Sequence, residues 1–342
     1  MKANPLIKYK FDPRPSIVFR SKKNTALVDV VNKYQTITRH CVCGDKEEDI
    51  LFDKDRYGVQ LSFVLCKNCS VVRSLNKMSD EDLSSFYANE YRKLYFDMEI
   101  PKTNLIEGEQ RPRGRAIIGI LNKSGELFVD RMVLEIGAGA GGILDEFHIN
   151  GGITTAIEPS VQYCEYMRAE TKHTVIEGML SDSEDARFLG NKYKVIVISH
   201  VLEHVNDPLD FLIKARKLLS DDGVIYIEVP SLTKIGLSND RFLDFFHVAH
   251  PWTFSKNGLL RLCHEVGLEP VYVDNNIRVL LKRSELSTDA VKCDYKLVYF
   301  SLIVQDLMSR FRFLGIKRRL LQKISKIMPL SIKSVIKSLL NA

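Results

Sequence analysis

The chain has 342 residues, 45% of them hydrophobic, and a formal net charge of +6. That length suits one large α/β domain with attachments, and no apolar run reaches the roughly 18 residues that a spanning helix needs, which argues against an integral membrane protein. The charge is uneven: nine Lys and Arg and no acid follow Asp306, leaving residues 1–306 at −3, so the basicity belongs to the C-terminal end and not to the body.

Residues 1–36 carry Pro5, Pro13 and Pro15 among scattered lysines and read as an extended arm. Met1 to Phe19 has no uninterrupted apolar stretch of the kind that directs export. Seven cysteines without such a signal point to reduced thiols or a metal site, and to a cytoplasmic protein. Four of them form two close pairs, Cys41/Cys43 and Cys66/Cys69, with 22 residues between the pairs. Two turns that each aim two thiolates at one tetrahedral ion make a zinc ribbon, and four protein ligands leave no open position, so the zinc would be structural. The first pair is C-x-C, tighter than the C-x-x-C of the second. His40 and Cys43 would restore the wider offset, so His40 could stand in place of Cys41. Between the pairs, Tyr57 to Leu65 alternates as a strand does.

Ser79 with Asp82 reads as a helix start. Tyr87 and Tyr91 then lie four apart on one helical face, where they either cover a cofactor or pack. Residues 101–112 look like a polar loop, and Gly114 to Leu121 like a short helix. Met132 to Ile136 is an apolar strand, followed by Gly137-Ala138-Gly139-Ala140-Gly141-Gly142 and then Ile143, Leu144 and Phe147 at helical spacing. Strand, glycine-rich turn and helix bring backbone N–H groups close to a ligand and add the positive end of a helix, which points to a mononucleotide-type cofactor. The glycine spacing alone does not choose which one.

The second strand, Ile153 to Ile157, ends at Glu158-Pro159, about 20 residues past the glycines, where a carboxylate holds a ribose diol. After a short strand at Val175-Ile176, Met179 and Leu180 turn beside the expected adenine position. Val195 to Ile198 and Val224 to Val229 are the fourth and fifth strands. This alternation predicts a doubly wound parallel sheet with its ligand at the C-terminal strand edges.

These residues together resemble the class I S-adenosylmethionine-dependent methyltransferases, over roughly residues 40–282. Glu135-x-Gly137-x-Gly139-x-Gly141 is similar to the family's first motif, and Glu158 falls at its ribose-binding acid. His200-Val201-Leu202-Glu203-His204-Val205 resembles the LEH segment of the subgroup that includes ubiquinone-pathway O-methyltransferases and sugar methyltransferases. A cysteine-paired ribbon followed by Phe86-Tyr87-x-x-x-Tyr91, and the later Phe246-His247-x-x-His250-x-x-x-Phe254-Ser255, also look like this subgroup. The resemblance implies a Rossmann-like seven-stranded sheet whose last hairpin, Pro270–Val273 and Ile277–Leu281, is antiparallel. It implies S-adenosyl-L-methionine as cofactor, held by Glu135, Gly137, Ala138, Gly139, Gly141, Glu158, Pro159, Met179 and Leu180. Tyr87 and Tyr91, with Ser199, His200, Val201 and Glu203 at the methionine end, would complete the site. Glu203 would be structural, or a metal ligand as in some ubiquinone-pathway relatives.

Methyl transfer to a hydroxyl benefits from a base near pH 7. The candidates are His204 and His250, with His200 and His247; the bland alternative is that they orient the loop and a lid. That lid would be Ser231 to Pro251, with Arg241, Phe242, Phe245, Phe246 and Trp252 covering the acceptor. Beyond it, Leu314 to Leu340 mixes Leu and Ile with Lys and Arg as an amphipathic helix does, suiting either an anionic membrane surface or packing on the domain.

The expected division is an arm at 1–36, a ribbon at 37–75, a helical linker at 76–130, the cofactor domain at 131–283 and a basic helical tail at 284–342. The expected reaction is methyl transfer to a small or carbohydrate-linked acceptor, with O-methylation favoured. The further C-terminal domain that resembling sugar C-methyltransferases carry is absent from the sequence, which weakens C-methylation. A nucleic-acid methyltransferase using ribbon and tail is the alternative, although strand four ends in Ser-His and not in the Asn/Asp-Pro-Pro-aromatic segment of base-methylating relatives. A nicotinamide-dependent oxidoreductase would explain the glycines but not Leu202-Glu203-His204.

Overall fold

The structure is a computed structural model, described here over residues 10–11, 37–91, 103–180, 192–232, 242–285, 291 and 293–313. The ribbon begins with β1 (Ile37–Thr38) and continues through β2 (Glu48–Lys54), β3 (Gln60–Cys66), β4 (Val72–Ser74) and β5 (Asn76–Lys77). β2, β3 and β4 form an antiparallel meander, and β1 pairs with β5. The strand expected from Tyr57 starts instead at Gln60. Asp55 accepts hydrogen bonds from Tyr57 N and Val59 N and closes a tight turn before it.

Helix α1 (Asp80–Asn89) starts where Ser79 accepts from Asp82 N at 3.0 Å, and buries Leu83 and Phe86. The loop expected at 101–112 is helical from Asn104. A π-helical segment, Asn104–Gln110, runs straight into α2 (Arg111–Lys123). Its polar residues concealed the helix, because Ile106 alone is buried in it. Pro112 sits in the first turn of α2, where its missing N–H costs nothing.

From β6 (Met132–Ile136) the chain alternates α3 (Gly142–Ile149), β7 (Ile153–Glu158), α4 (Val161–Glu170), β8 (Thr174–Glu177), β9 (Tyr193–Ser199), α5 (Pro208–Leu218) and β10 (Leu219–Glu228). After β11 (Trp252–Thr253) and α6 (Lys256–Glu265), β12 (Leu268–Val273) and β13 (Arg278–Arg283) close the sheet as an antiparallel hairpin. The order is β12-β13-β10-β9-β6-β7-β8, with β6 to β10 mutually parallel. This is the seven-stranded Rossmann-like sheet that the resemblance implies, with the parallel centre that the alternation predicts. β9 is buried at all seven positions, as a strand covered on both faces must be.

The expected separation of ribbon, lid and tail is not what the chain does. β11 pairs with β4, Trp252 opposite Arg73, so the ribbon sheet is completed by a strand from the other side of the cofactor domain. Phe242 and Phe246 are 1% and 0% exposed and pack against Phe52 and Phe63. Trp252 is likewise buried. These side chains are core and do not cover an acceptor; Arg241 lies outside the described residues. Helix α7 (Tyr295–Phe313) sits in the same core, with Val298 and Leu302 in contact with it. Phe11 joins there too, 5.4 Å from Phe52 between ring centroids. The remaining arm and the basic stretch 314–342 lie outside the described residues; among the described residues no helix is long and apolar enough to cross a membrane.

Because α7 is core, Leu302→Ala should destabilise the protein by about 2–4 kcal/mol. Leu297→Ala on the exposed face of the same helix should stay within about 0.5 kcal/mol. Urea unfolding of both variants measures the difference.

Candidate active site

The C-terminal ends of β6, β7, β8 and β9 meet at a cleft of about 360 Å³. The glycine turn after β6 forms one wall. Gly137 has φ +74, and a Cβ there would lie 2.5 Å from Val201 Cγ2, so the β6 turn and the β9 loop touch with no room for a side chain. Gly141 caps α3 in the left-handed region, and a Cβ would crowd His173 and Met167. Glu158, at the end of β7, turns its carboxylate onto this wall. Oε2 accepts from Gly139 N at 2.8 Å and Oε1 from Ser160 N at 3.1 Å.

Most of the expected cofactor residues line the cleft. Gly137, Gly139, Glu158 and Pro159 border it on the turn side; Met179 and Leu180 follow from β8; Ser199, His200, Val201 and Glu203 follow from β9; Tyr87 on α1 and Tyr91 just past its end close it. Glu135, Ala138 and Gly141 stand behind the wall and do not line it. Glu135 is 1% exposed, and burial pushes its carboxyl well above the usual carboxylate range against the pull of Arg113. Its Oε2 has no hydrogen-bond partner among the described residues. It therefore serves as a buried prop beneath the turn.

Two further residues were missed. Gln110 donates from Nε2 to Ala138 O and accepts at Oε1 from Gly142 N, both at 3.2 Å, and so clamps the turn from outside. Arg113 brings a cation to the cleft, 3.7 Å from Glu228. Both lie in or beside the stretch that reads as a polar loop. The signal that could have exposed them is Pro112, a first-turn residue with Gln110 and Arg113 on either side.

The histidines gather where β9 ends. His200 takes a left-handed backbone, φ +55, held there by its N–H to Glu228 O at 2.9 Å. Its Nδ1 is 3.2 Å from Glu203 Oε1. Burial lowers the basicity of His200, yet the Glu203 hydrogen bond and charge outweigh this and leave its pKa raised. Burial would raise Glu203, but the hydrogen bond to His200 and the neighbouring His204 hold its carboxyl down to about 2. The two form an ion pair at the cleft floor.

His204 Nδ1 lies 2.5 Å from Ala249 O and 2.9 Å from Tyr87 OH. A carbonyl only accepts, so Nδ1 carries the proton and Nε2 is the ring's acceptor. Nε2 is 3.9 Å from Glu203 Oε1, and the His250 ring centroid is 4.7 Å away. Ligating atoms of Glu203, His204 and His250 all fall within 4.8 Å of one another. Two imidazoles and a carboxylate suit a divalent transition metal. His247 stands behind His250, centroid to centroid 3.9 Å, and does not line the cleft. Burial drives both rings well below the usual histidine range.

The four ribbon thiols converge. Cys41 and Cys69 Sγ are 3.4 Å apart, Cys41 and Cys43 3.5 Å, and Cys43 and Cys66 3.6 Å. A tetrahedral zinc site has S···S edges of about 3.8 Å, so these residues fit the ion. His40 is exposed and stands outside the group, so the tight first pair uses Cys41.

Residues 109–273 match a family model described as a methyltransferase domain. A ubiquinone biosynthesis O-methyltransferase of Actinobacillus pleuropneumoniae is 33% identical over 125 residues, 33% of this chain and 51% of that protein. One from Haemophilus ducreyi is 30% identical over the same shares. The chain spans about half the length of the curated relatives it matches. Among solved structures, a Burkholderia thailandensis 1,6-didemethyltoxoflavin-N1-methyltransferase with bound S-adenosylhomocysteine is 14% identical, with a TM-score of 0.45, over 70% of this chain and 100% of that one. The chain thus carries a methyltransferase domain, and the glycine turn, Glu158 and the β9 loop all lie inside it.

The buried histidines set a pH dependence. His247 and His250 are held neutral when folded and titrate near pH 6.5 when unfolded. The unfolded chain then binds more protons, so their stabilisation is lost as pH falls below about 6.5. His200 acts oppositely: its raised pKa gives full stabilisation below about 6.5, lost as pH rises through the folded value. The buried carboxyls Glu135 and Asp55, raised in the folded state, also act oppositely. His247→Gln should therefore remove one acid-side loss, so that its melting temperature changes less unfavourably than the wild type's from pH 7 to pH 5 in thermal melts.

Proposed function

We propose that the protein is an S-adenosylmethionine-dependent methyltransferase that methylates a hydroxyl of a small or carbohydrate-linked acceptor, with a structural zinc in its ribbon. The observation that carries this reading is the Glu158 carboxylate held at the cleft wall by the glycine turn, on Gly139 N at 2.8 Å. That carboxylate would hold the ribose hydroxyls, and the glycine backbone admits a ligand at close approach. Met179 and Leu180 would flank the adenine. Tyr87 and Tyr91 offer aromatic faces to a cationic donor. When bound, the sulfonium supplies a methyl already activated by its charge.

The protein's remaining task is alignment and proton removal. His204 Nε2 takes the proton of the acceptor hydroxyl. The imidazolium so formed keeps Nδ1–H on Ala249 O, with the Tyr87 hydroxyl beside it. Nearby Glu203 stabilises the new charge. A second reading has a divalent cation on Glu203, His204 and His250, supported by their spacing and by the buried, unpartnered Glu203 Oε2. The cation would occupy the same lone pair, so for His204 the two roles exclude each other.

Calorimetry with S-adenosylhomocysteine should give a micromolar-range Kd and none for NADH. Glu158→Ala should weaken it about 10- to 100-fold, the loss of charge-assisted hydrogen bonds, and Gly139→Arg should abolish it. A tritiated-methyl screen over nucleotide sugars and cell-envelope extracts identifies the acceptor. On that acceptor, His204→Gln should cut kcat about 100-fold or more with cofactor affinity nearly unchanged. Activity that survives chelation of the cleft selects the base over the cation. Metal analysis should find one zinc per chain, lost in Cys41→Ser and kept in His40→Ala.

A further inference from the structure

The ribbon and the β9 loop are joined by two side chains. Arg39, two residues before Cys41, is 4% exposed. Its NH1 donates to Asn206 O at 2.9 Å and NH2 to Asn206 Oδ1 at 3.3 Å. The guanidinium lies 5.0 Å over the Trp252 ring. Trp252 in turn donates from Nε1 to Val205 O at 2.9 Å and from its backbone N to Glu203 O at 3.3 Å. Asn206 also donates to Met78 O and to Asp80 Oδ1, at the start of the helix that carries Tyr87. The carbonyls of Glu203, Val205 and Asn206 are therefore all gripped from the ribbon side, and His204 sits among them.

A second cavity of about 230 Å³ separates residues 38–42 from 206–209, with Arg39 and Trp252 in its lining. Across that cavity the Arg39 guanidinium spans the two segments. Lysine could not replace it, because one ammonium on a flexible stem does not present the planar fork that meets both Asn206 oxygens and stacks on the indole.

We propose that Arg39 is a positioning residue that carries the state of the four-cysteine knuckle into the loop holding Glu203 and His204. Occupancy of the knuckle fixes residues 39–43, Arg39 transmits that position to Asn206, and loop 200–206 presents the cleft-facing His204. The cofactor part rests on the methyltransferase reading; the mechanical part does not.

Hydrogen exchange on the full chain tests it. In Arg39→Met, amides 200–206 should exchange about tenfold faster while 48–66 and 132–136 keep their protection. Stripping metal from the wild type with a chelator should produce the same local change, with no further change in Arg39→Met. Arg39→Lys should not restore protection. Affinity for S-adenosylhomocysteine should fall severalfold in Arg39→Met. Combined with Tyr87→Phe, the loss should be smaller than the product of the two single losses, because both act through one loop. Unchanged exchange at 200–206 in Arg39→Met overturns the proposal. So does protection lost evenly over ribbon and sheet, or strictly multiplicative losses in the double variant. If the wild type binds no S-adenosylhomocysteine, the cofactor reading fails, and the exchange data alone still decide the strut.

Discussion

The contact between Gly137 and Val201 is the constraint from which the cleft follows. The turn after β6 and the loop after β9 come so close that a Cβ at 137 would sit 2.5 Å from the Val201 methyl. That approach fixes the β9 loop against the turn, and with it the positions of Glu203 and His204. The parallel register of β6 with β9 brings both loops to the same edge. Everything else at the site holds this juncture from outside. Gln110 clamps the turn, Tyr87 and Ala249 hold His204, and Arg39 with Trp252 holds the loop's carbonyls.

Three carboxyl groups near this juncture differ in what surrounds them. Glu135 lies under the turn, where burial outweighs the pull of Arg113 and raises its carboxyl well above the usual range. Glu158 accepts two backbone N–H bonds and stays at the cleft wall as an acceptor. Glu203 is as buried as Glu135, yet His200 and His204 keep it ionised. The same residue type thus supplies a prop, a hydrogen-bonding wall and a fixed negative charge.

What could be read in the sequence was what depends on local pattern. The apolar strands, the glycine turn and Glu158 at the end of the next strand carry their own periodicity, and the sheet follows from their alternation. The four cysteines were legible by spacing, although only the coordinates separate Cys41 from His40. The missed features depend on distant partners. Phe242, Phe246 and Trp252 read as a lid because aromatic residues in an irregular segment look the same whether they cover a ligand or fill a core. Their partners, Phe52, Phe63 and Arg73, are nearly 200 residues away. Helix α7 read as the start of a basic tail because the cationic residues after it dominate the composition, whereas Val298 and Leu302 dock it. Gln110 and Arg113 were hidden in a polar stretch whose helix rests on a single buried Ile106.

The arrangement of charge around His204 bears on which of its two roles the fold favours. Glu203 Oε1 is 3.2 Å from His200 Nδ1 and 3.9 Å from His204 Nε2. The carboxylate spends its strongest interaction on His200, whose pKa is raised in consequence. A cation on Glu203, His204 and His250 would take the unpartnered Oε2 and share that carboxylate with His200, whose Nε2 also lies 3.9 Å from Glu228 Oε1. A proton arriving at His204 asks for no rearrangement, since Nδ1 is already committed to Ala249 O and Glu203 is close enough to stabilise the charge. His250, held neutral by burial, adds no competing positive charge to the imidazolium. The proposed proton-accepting role of His204 thus fits the ground-state geometry as it stands, and the proposed metal would compete with it for the same Nε2 lone pair.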